Sequence, residues 1–334
     1  YLSKTDNNGN LIWIKYFRGV PNISSFEINQ VKVNSNDEIV VLGNYFGVVD
    51  VDFSVNGVDT LRSHQPTYQD YFVAKYDANA NLSWAFTIGD ATNLTQVKTM
   101  TVNDNDDILV ATNTTGAVDL DPGTGYQPSI GGNANLVVYN TSGNYVWHNN
   151  IAVQYSYAEN TNTLEADALG NSYLLTVGYY EMTVNKFSNT GIWHYDKTIG
   201  QFASGARVAP QSIWIDPATQ DYYICGSFQG SVNFDPNGGS TVLTGSSAGD
   251  QDGFIAKYDS SMNIIWVKQY TGIVTFGKNS IVPYGNSLML VGQIEGAANL
   301  GGNYNVVAAS LSPFMMQIDP SGTTQMAFML NGVG

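Results

Sequence analysis

The sequence predicts an all-β fold, a β-propeller of four-stranded blades, about six in number with the first incomplete in this chain. Three observations predict it. A hairpin ending in Trp recurs along the whole chain. A second kind of hairpin recurs between the copies of the first. The composition is that of strands and tight turns: of 334 residues, 43% are hydrophobic, 12% aromatic and 12% charged, and 34 are glycine. That charged share is about half the usual one. The apolar share is too high for disorder, and β-rich runs broken by Asn, Gly and Asp read as strands and turns.

The first hairpin is clearest where Tyr71-Phe-Val-Ala-Lys-Tyr-Asp-Ala-Asn-Ala-Asn-Leu-Ser-Trp84 returns as Gly253-Phe-Ile-Ala-Lys-Tyr-Asp-Ser-Ser-Met-Asn-Ile-Ile-Trp266. Weaker copies span 1–13, 135–147, 181–193 and 313–326, the last with Met326 in the Trp slot. The second hairpin spans 31–43 and recurs at 98–112, 163–178, 211–226 and 278–292. Two hairpins per unit make a four-stranded blade. The chain then divides into a half blade, 1–16, and blades at about 27–90, 94–152, 160–200, 207–272 and 277–334, all in one domain. The half blade leaves an edge that closure of a ring would have to cover. Trp13, Trp84, Trp147, Trp193 and Trp266 share one slot and are expected to be buried between blades. His148 and His194 each follow such a Trp and are expected at equivalent scaffold positions. Trp214 and Cys225 fall in inner strands and read as core.

Phe72-Val73-Ala74-Lys75-Tyr76-Asp77 through Trp84, and Phe254-Ile255-Ala256-Lys257-Tyr258-Asp259 through Trp266, resemble the SBBP repeat, a β-propeller repeat of bacterial secreted and surface proteins. Nearly the whole chain is covered. Two copies depart from the pattern, with Val138 and Gln317 where the Lys would stand. The stretch from Val118 to Gly123 is similar to loop text of large cell-surface proteins in gliding and related bacteria. The resemblance implies export, with an extracellular or cell-surface location. It implies no activity, because the repeat is scaffold.

The balance of 13 Lys plus Arg against 28 Asp plus Glu gives a net charge of −15. Nucleic acid and anionic membrane surfaces both need a basic footprint, so both are excluded as partners. One cysteine rules out an intrachain disulfide. No apolar run reaches the ~18 residues of a membrane span. The chain opens at Tyr1 inside a repeat, and processing or excision from a longer chain is expected.

The hairpin tips are short and Asn-rich, with Asn and Gly supplying positive φ and Asp capping its own backbone. The long loops lie between second and third strands, at about 44–70, 113–134, 227–252 and 293–312. Binding usually lives on such loops. Three carry one motif: Val49-Asp50-Val51-Asp52-Phe53, Val118-Asp119-Leu120-Asp121-Pro122 and Val232-Asn233-Phe234-Asp235-Pro236. Asp70, and Asp250 with Asp252, stand where two loops end. Alternating Asp side chains lie on one side of an extended segment. Such paired carboxylates could hold Ca²⁺, which takes six to eight oxygens. The alternative is ordinary Asx-turn chemistry. No cofactor is required by any motif. Non-repeated aromatics on the loops, Tyr45, Tyr68, Tyr126, Tyr155, Tyr157 and Tyr304, are candidate ligand platforms.

Catalytic constellations do not appear. The three histidines, His64, His148 and His194, are scattered, and a zinc site needs clusters. The three arginines, Arg18, Arg62 and Arg207, sit at unrelated repeat positions, against the arginine triad of sialidases. A two-carboxylate glycosidase is the weakest of the readings. The leading expectation is a non-enzymatic surface or secreted scaffold that binds another surface or secretion-associated protein through its long loops. The alternative is a glycan-binding adhesin module, with or without calcium.

Overall fold

The computed structural model describes residues 1–19, 24–54, 58–64, 69–132, 134–152, 161–178, 181–200, 206–247, 249 and 251–330. Among them there are strands and turns and no helix. Every strand pairing is antiparallel. The chain forms two compact units, 1–152 and 153–334.

The first unit opens with a hairpin of β1 (Leu2–Thr5) and β2 (Leu11–Lys15), followed by the short β3 (Arg18–Gly19). A four-stranded sheet follows, made of β4 (Ser25–Val33), β5 (Ile39–Phe46), then β8 (Asp70–Tyr76) and β9 (Leu82–Ile88). Between β5 and β8 the chain makes a small hairpin, β6 (Val48–Asp50) with β7 (Thr60–Arg62), which β3 joins. The second sheet is β10 (Thr95–Val102), β11 (Ile108–Thr114), β12 (Ala134–Tyr139) and β13 (Tyr145–Ile151).

The second unit opens with β14 (Thr161–Ala166), β15 (Ser172–Val177), β16 (Met182–Phe187) and β17 (Trp193–Ile199). Next come β18 (Arg207–Ile215), β19 (Tyr222–Gln229), the small hairpin β20 (Ser231–Asn233) and β21 (Val242–Thr244), then β22 (Asp252–Tyr258). The long β23 (Ile264–Tyr284) serves two sheets: 264–270 pair with β22, and 271–284 pair with β24 (Ser287–Asn299). β25 (Asn305–Ile318) and β26 (Thr324–Met329) complete the order. The segment 293–312 is therefore not a loose loop. It continues the β24–β25 ladder outward.

The pattern of burial explains the sequence pattern. Second and third strands are covered on both faces, so Ile39-Val-Val-Leu42 and Ile108-Leu-Val-Ala111 are continuous apolar runs. Alternate residues of these strands face different neighbours. Val40 and Leu42 pack with Val97, Met100 and Val110 of the following sheet. Ile39 and Val41 pack on the other side, where Leu2 and Trp13 of the β1–β2 hairpin cover the same cluster. In the second unit, Tyr222 and Ile224 face Leu175 and Val184 of the preceding sheet, while Tyr223 and Cys225 face Leu288 and Leu290 of the following one. Strand β1 pairs with β2 and with no other strand among the described residues.

Two expectations about the Trp slot are corrected. Register places Lys75 opposite Trp84, Val138 opposite Trp147 and Lys257 opposite Trp266, but Lys186 opposite Tyr195. The turn before β17 is as long as the others, Phe187 pairing with Trp193 as Tyr76 pairs with Leu82, so Tyr195 holds the slot and Trp193, at the Leu82 position, lies outside it, 56% exposed. His194 accordingly is not the counterpart of His148. The remaining slot Trp side chains are half-buried rather than buried. Each of two is spent on the outer turn of the next sheet: Trp84 Nε1–H donates to Thr141 O at 3.2 Å, and Trp266 Nε1–H to Pro320 O at 3.1 Å. The rings lie against Gly143 (φ +80°) and Gly322 (φ +78°), where a Cβ would come within 3.0 and 2.9 Å of ring carbons. Glycine there supplies both the left-handed turn and the space. In the Tyr195 copy the reach is shared: Tyr195 OH donates to Tyr222 OH at 3.4 Å, and Tyr222 OH bonds Ser260 O, the equivalent turn carbonyl, at 3.1 Å.

Candidate functional site

The insertions between second and third strands are ordered by a repeated device. Asp50 Oδ1 accepts the amides of Asp52 and Asp59, both at 3.1 Å, and so ties the two sides of its hairpin together. Asp119 Oδ1 accepts those of Asp121 (3.1 Å) and Gln127 (2.9 Å). Asn233 Oδ1 accepts those of Asp235 (3.1 Å) and Thr241 (2.9 Å). The second acid of each motif caps the next turn: Asp52 takes Ser54 N, Asp121 takes Gly123 N and Asp235 takes Asn237 N, all at 2.8 Å. The apolar residues between them, Val49, Val51, Val118, Leu120, Val232 and Phe234, are buried. Alternation thus places the apolar side chains inward and the acids along the hairpin.

A fourth copy escaped the sequence reading. Asn299 Oδ1 accepts Gly301 N at 2.7 Å, and Leu300 N donates to Tyr304 O, as Val51 N does to Asp59 O. Its Ala298-Asn299-Leu300 lacks the Val and the Asp that made the other three visible. The signal available was only small-polar-apolar alternation.

The carbonyl at the centre of each insertion is held from the third strand. Tyr76 OH donates to Val51 O, Tyr139 OH to Leu120 O and Tyr258 OH to Phe234 O, each at 2.9 Å. In the fourth copy Ile318 stands in the Tyr place, and Thr324 Oγ1 donates to Leu300 O instead, at 2.8 Å. Phe187 takes that place where the link is only Gly178 to Glu181, with no insertion to hold. Burial pushes the Tyr76, Tyr139 and Tyr258 phenols far above their ordinary value, so they stay protonated donors.

The remaining acids close the insertions. Asp70, buried at the start of β8, accepts His64 N and His64 Nδ1, both at 2.7 Å. Asp252, at the start of β22, accepts Ser246 N (2.8 Å), Ser246 Oγ (2.6 Å) and Gly272 N (3.1 Å). Asp250 lies outside the described residues. The Asx-turn alternative therefore accounts for the contacts of Asp50, Asp52, Asp119, Asp121, Asn233 and Asp235. Among the described residues no group of three or more His, Cys, Asp or Glu is placed to share a metal ion.

The tyrosine candidates separate. Tyr45 is a core residue, fully buried, its hydroxyl 2.7 Å from Thr87 Oγ1, and burial pushes its phenol up to about 12. Tyr304 anchors the turn between β24 and β25 through Gln325 O. Tyr126, 68% exposed on the 113–134 insertion, is the one whose ring is open to solvent among those described. Tyr68, Tyr155 and Tyr157 lie outside the described residues. Trp214, read from the sequence as core, is half-buried and lines a cleft of about 650 Å³ at the opposite end of the strands.

No protein-family model matches the chain, and no curated protein does. Solved structures give weak likenesses. A eukaryotic initiation factor is 9% identical over 96% of this chain and 91% of its own, with a TM-score of 0.27. The extracellular domain of a one-component system of B. thetaiotaomicron is 11% identical over 91% of this chain, with a TM-score of 0.19. The chain spans 59% of that domain's length. No described helix is long and apolar enough to cross a membrane.

Proposed function

We infer that this chain is a β-propeller module of an exported bacterial protein, non-enzymatic, which docks another surface or secretion-associated protein through its insertions. The propeller reading is supported by a shared strand order and by the face-to-face packing of consecutive sheets within each unit. A scaffold role is supported by how the acids are used: they serve hairpin amides, which fixes the shape of the insertions.

One observation carries the docking reading. All four insertions present large apolar side chains to solvent, among them Val58, Tyr126, Ile130, Val242, Val307 and Leu311, exposed by 52% to 74%. Each sits on a hairpin made rigid by buried Val, Leu or Phe and by a hydroxyl bond to its central carbonyl. Preorganised apolar tips of this kind suit protein association, because ordering entropy has already been met. The test is site-specific photocrosslinking on the producing cells, with a photoreactive residue at 126, 242 or 307 and at 169 or 192 as turn-end controls. Discrete protein adducts from the insertion positions alone are expected. Equal labelling at both ends, or none at the insertions, overturns the reading.

A further inference from the structure

The cleft beside Trp214 lies where the first unit carries a clasp between neighbouring turns. In the first unit the turns of neighbouring sheets are bolted together. Asp106, on the β10–β11 turn, accepts Ser35 N and Ser35 Oγ, both at 3.0 Å, and Asn36 Nδ2 at 2.7 Å. In the second unit the corresponding neighbours are the β18–β19 turn, 216–221, and the β23–β24 turn. The latter is cut to two residues, since Tyr284 pairs directly with Ser287. It is too short to carry an acid across, and the space stays open as the 650 Å³ cleft.

The cleft is furnished in a way the repeat does not require. Trp214 pairs with Tyr223, and its counterparts in register are Lys32, Thr101, Glu165 and Val282, none of them aromatic. Its ring lies 5.4 Å from that of Tyr223, which forms the floor. Pro283 and Pro320 extend the apolar wall, while Asp216, Thr219 and Asn286 bring carboxylate, hydroxyl and amide groups to the lining. The one cation in the lining, Lys257, is neutralised by Asp221 at 2.8 Å and held over the Tyr223 ring at 5.1 Å.

An apolar aromatic wall beside a few convergent hydrogen-bonding groups is the make-up of small-molecule sites, and the volume falls within their range of ~300–1,000 Å³. A neutral pyranose has the complementary surface: an apolar C–H face for the indole and equatorial hydroxyls for the polar groups. The neutralised lysine and the net charge of −15 argue against acidic sugars and phosphates. We propose that the cleft between the β18–β19 and β23–β24 turns binds a neutral hexose or pentose unit of a glycan chain, with Trp214 as the stacking platform. This site lies at the opposite strand ends from the insertions and does not rest on the docking reading.

The test uses the full chain with soluble hexasaccharides of glucose (α- and β-linked), xylose, mannose and N-acetylglucosamine as probes. Calorimetry and Trp fluorescence report binding. At least one probe is expected to bind, and Trp214→Thr, which installs the residue found at position 101, should weaken it at least about tenfold, the loss of ~1.4 kcal/mol. Asn286→Ala should weaken the same probe, and Tyr126→Ser should not. Unchanged melting of Trp214→Thr keeps the loss from being one of folding. Binding of none of the probes, binding insensitive to Trp214→Thr, or saturable binding of a proline decamer in their place overturns the proposal.

Discussion

The hydroxyl of Tyr76 donates to the backbone carbonyl of Val51, 2.9 Å away, from one strand of the sheet into the hairpin it carries. Wherever the repeat holds Tyr at this place, an insertion carbonyl receives it; where the link is short, Phe187 stands there. Tyr76→Phe removes the donor and leaves a buried carbonyl unmatched, a loss of ~1–3 kcal/mol. Phe187→Tyr should gain nothing, having no carbonyl to meet. Chemical denaturation of both variants checks this, and a Tyr76→Phe protein as stable as its parent would refute the tether.

The first acid of each insertion motif acts through one oxygen, since Asn233 and Asn299 do the same work without a charge. Asp119→Asn should therefore be nearly neutral, and Asp119→Ala should cost ~1–2 kcal/mol, as for other lost side-chain caps. A calcium role separates cleanly. If the carboxylates held Ca²⁺ as the sequence allowed, saturating calcium would raise the melting temperature and Asp119→Asn would abolish the rise. The turn geometry predicts coincident melting curves with calcium and with chelator.

Alkali should unfold the protein cooperatively. Burial raises the Tyr139 and Tyr258 phenols in the folded chain, while the unfolded chain ionises near 10. Above that value the unfolded state binds fewer protons than the folded one, so stability falls as pH rises. Each such tyrosine removes about 1.4 kcal/mol per pH unit over that window. Absorbance titration should show these phenols ionising together with unfolding, and Tyr139→Phe should flatten the dependence. Gradual ionisation of all tyrosines with the fold intact would contradict the burial.

The sheets were legible because the middle strands are apolar on both faces and the tips repeat a short Asx grammar. Asp77, for example, accepts Asn79 N and Asn81 N, at 2.8 and 2.9 Å. The insertions were visible as motifs, but their chemistry was not. Two alternating Asp residues look alike whether they hold an ion or their own amides, and only the acceptor geometry distinguishes the two. Trp193 misleads for a similar reason: its turn keeps the common length, but the Trp stands ahead of the slot, where the other copies carry Leu82, Tyr145 and Ile264. Trp214 was hidden by its strand. That it opens on a cleft depends on the distant turn at 285–286 being two residues long, which no local pattern encodes.

The register that puts Tyr195 in the place of Trp84 predicts a ranking of stabilities. Trp84 stacks on Phe86, with centroids 5.4 Å apart, and donates to Thr141 O, so Trp84→Ala should cost roughly half of the ~3–5 kcal/mol of a fully buried aromatic. Trp193→Ala should fall within the ~0.5 kcal/mol typical of surface changes. Tyr195→Ala should exceed it, through loss of the Tyr222 contact. Three unfolding curves decide the order, and a Trp193→Ala cost equal to that of Trp84→Ala would put Trp193 rather than Tyr195 in the slot.

The departure at Val138 leaves an acid without its cation. Glu38 pairs with Lys75 at 2.6 Å and Asp221 with Lys257 at 2.8 Å, each acid standing just before its second strand. Asp107 holds the same place, but Val138 stands where the Lys would be, and burial raises the Asp107 carboxyl above its usual range. The Lys75 bond instead lowers Glu38. With its folded value raised, Asp107 favours the folded state increasingly as pH falls through that value, and its charge opposes folding at neutral pH. Val138→Lys supplies the partner, and the Lys75 stem shows that the site accepts an aliphatic chain. At pH 7 the variant should melt above its parent. The gain should shrink as pH falls through the carboxylate range and be lost once Asp107 is protonated in both proteins, and it should be absent in the Asp107→Asn background at any pH. A Val138→Lys protein that melts lower at pH 7, or gains equally without the acid, would refute the pairing.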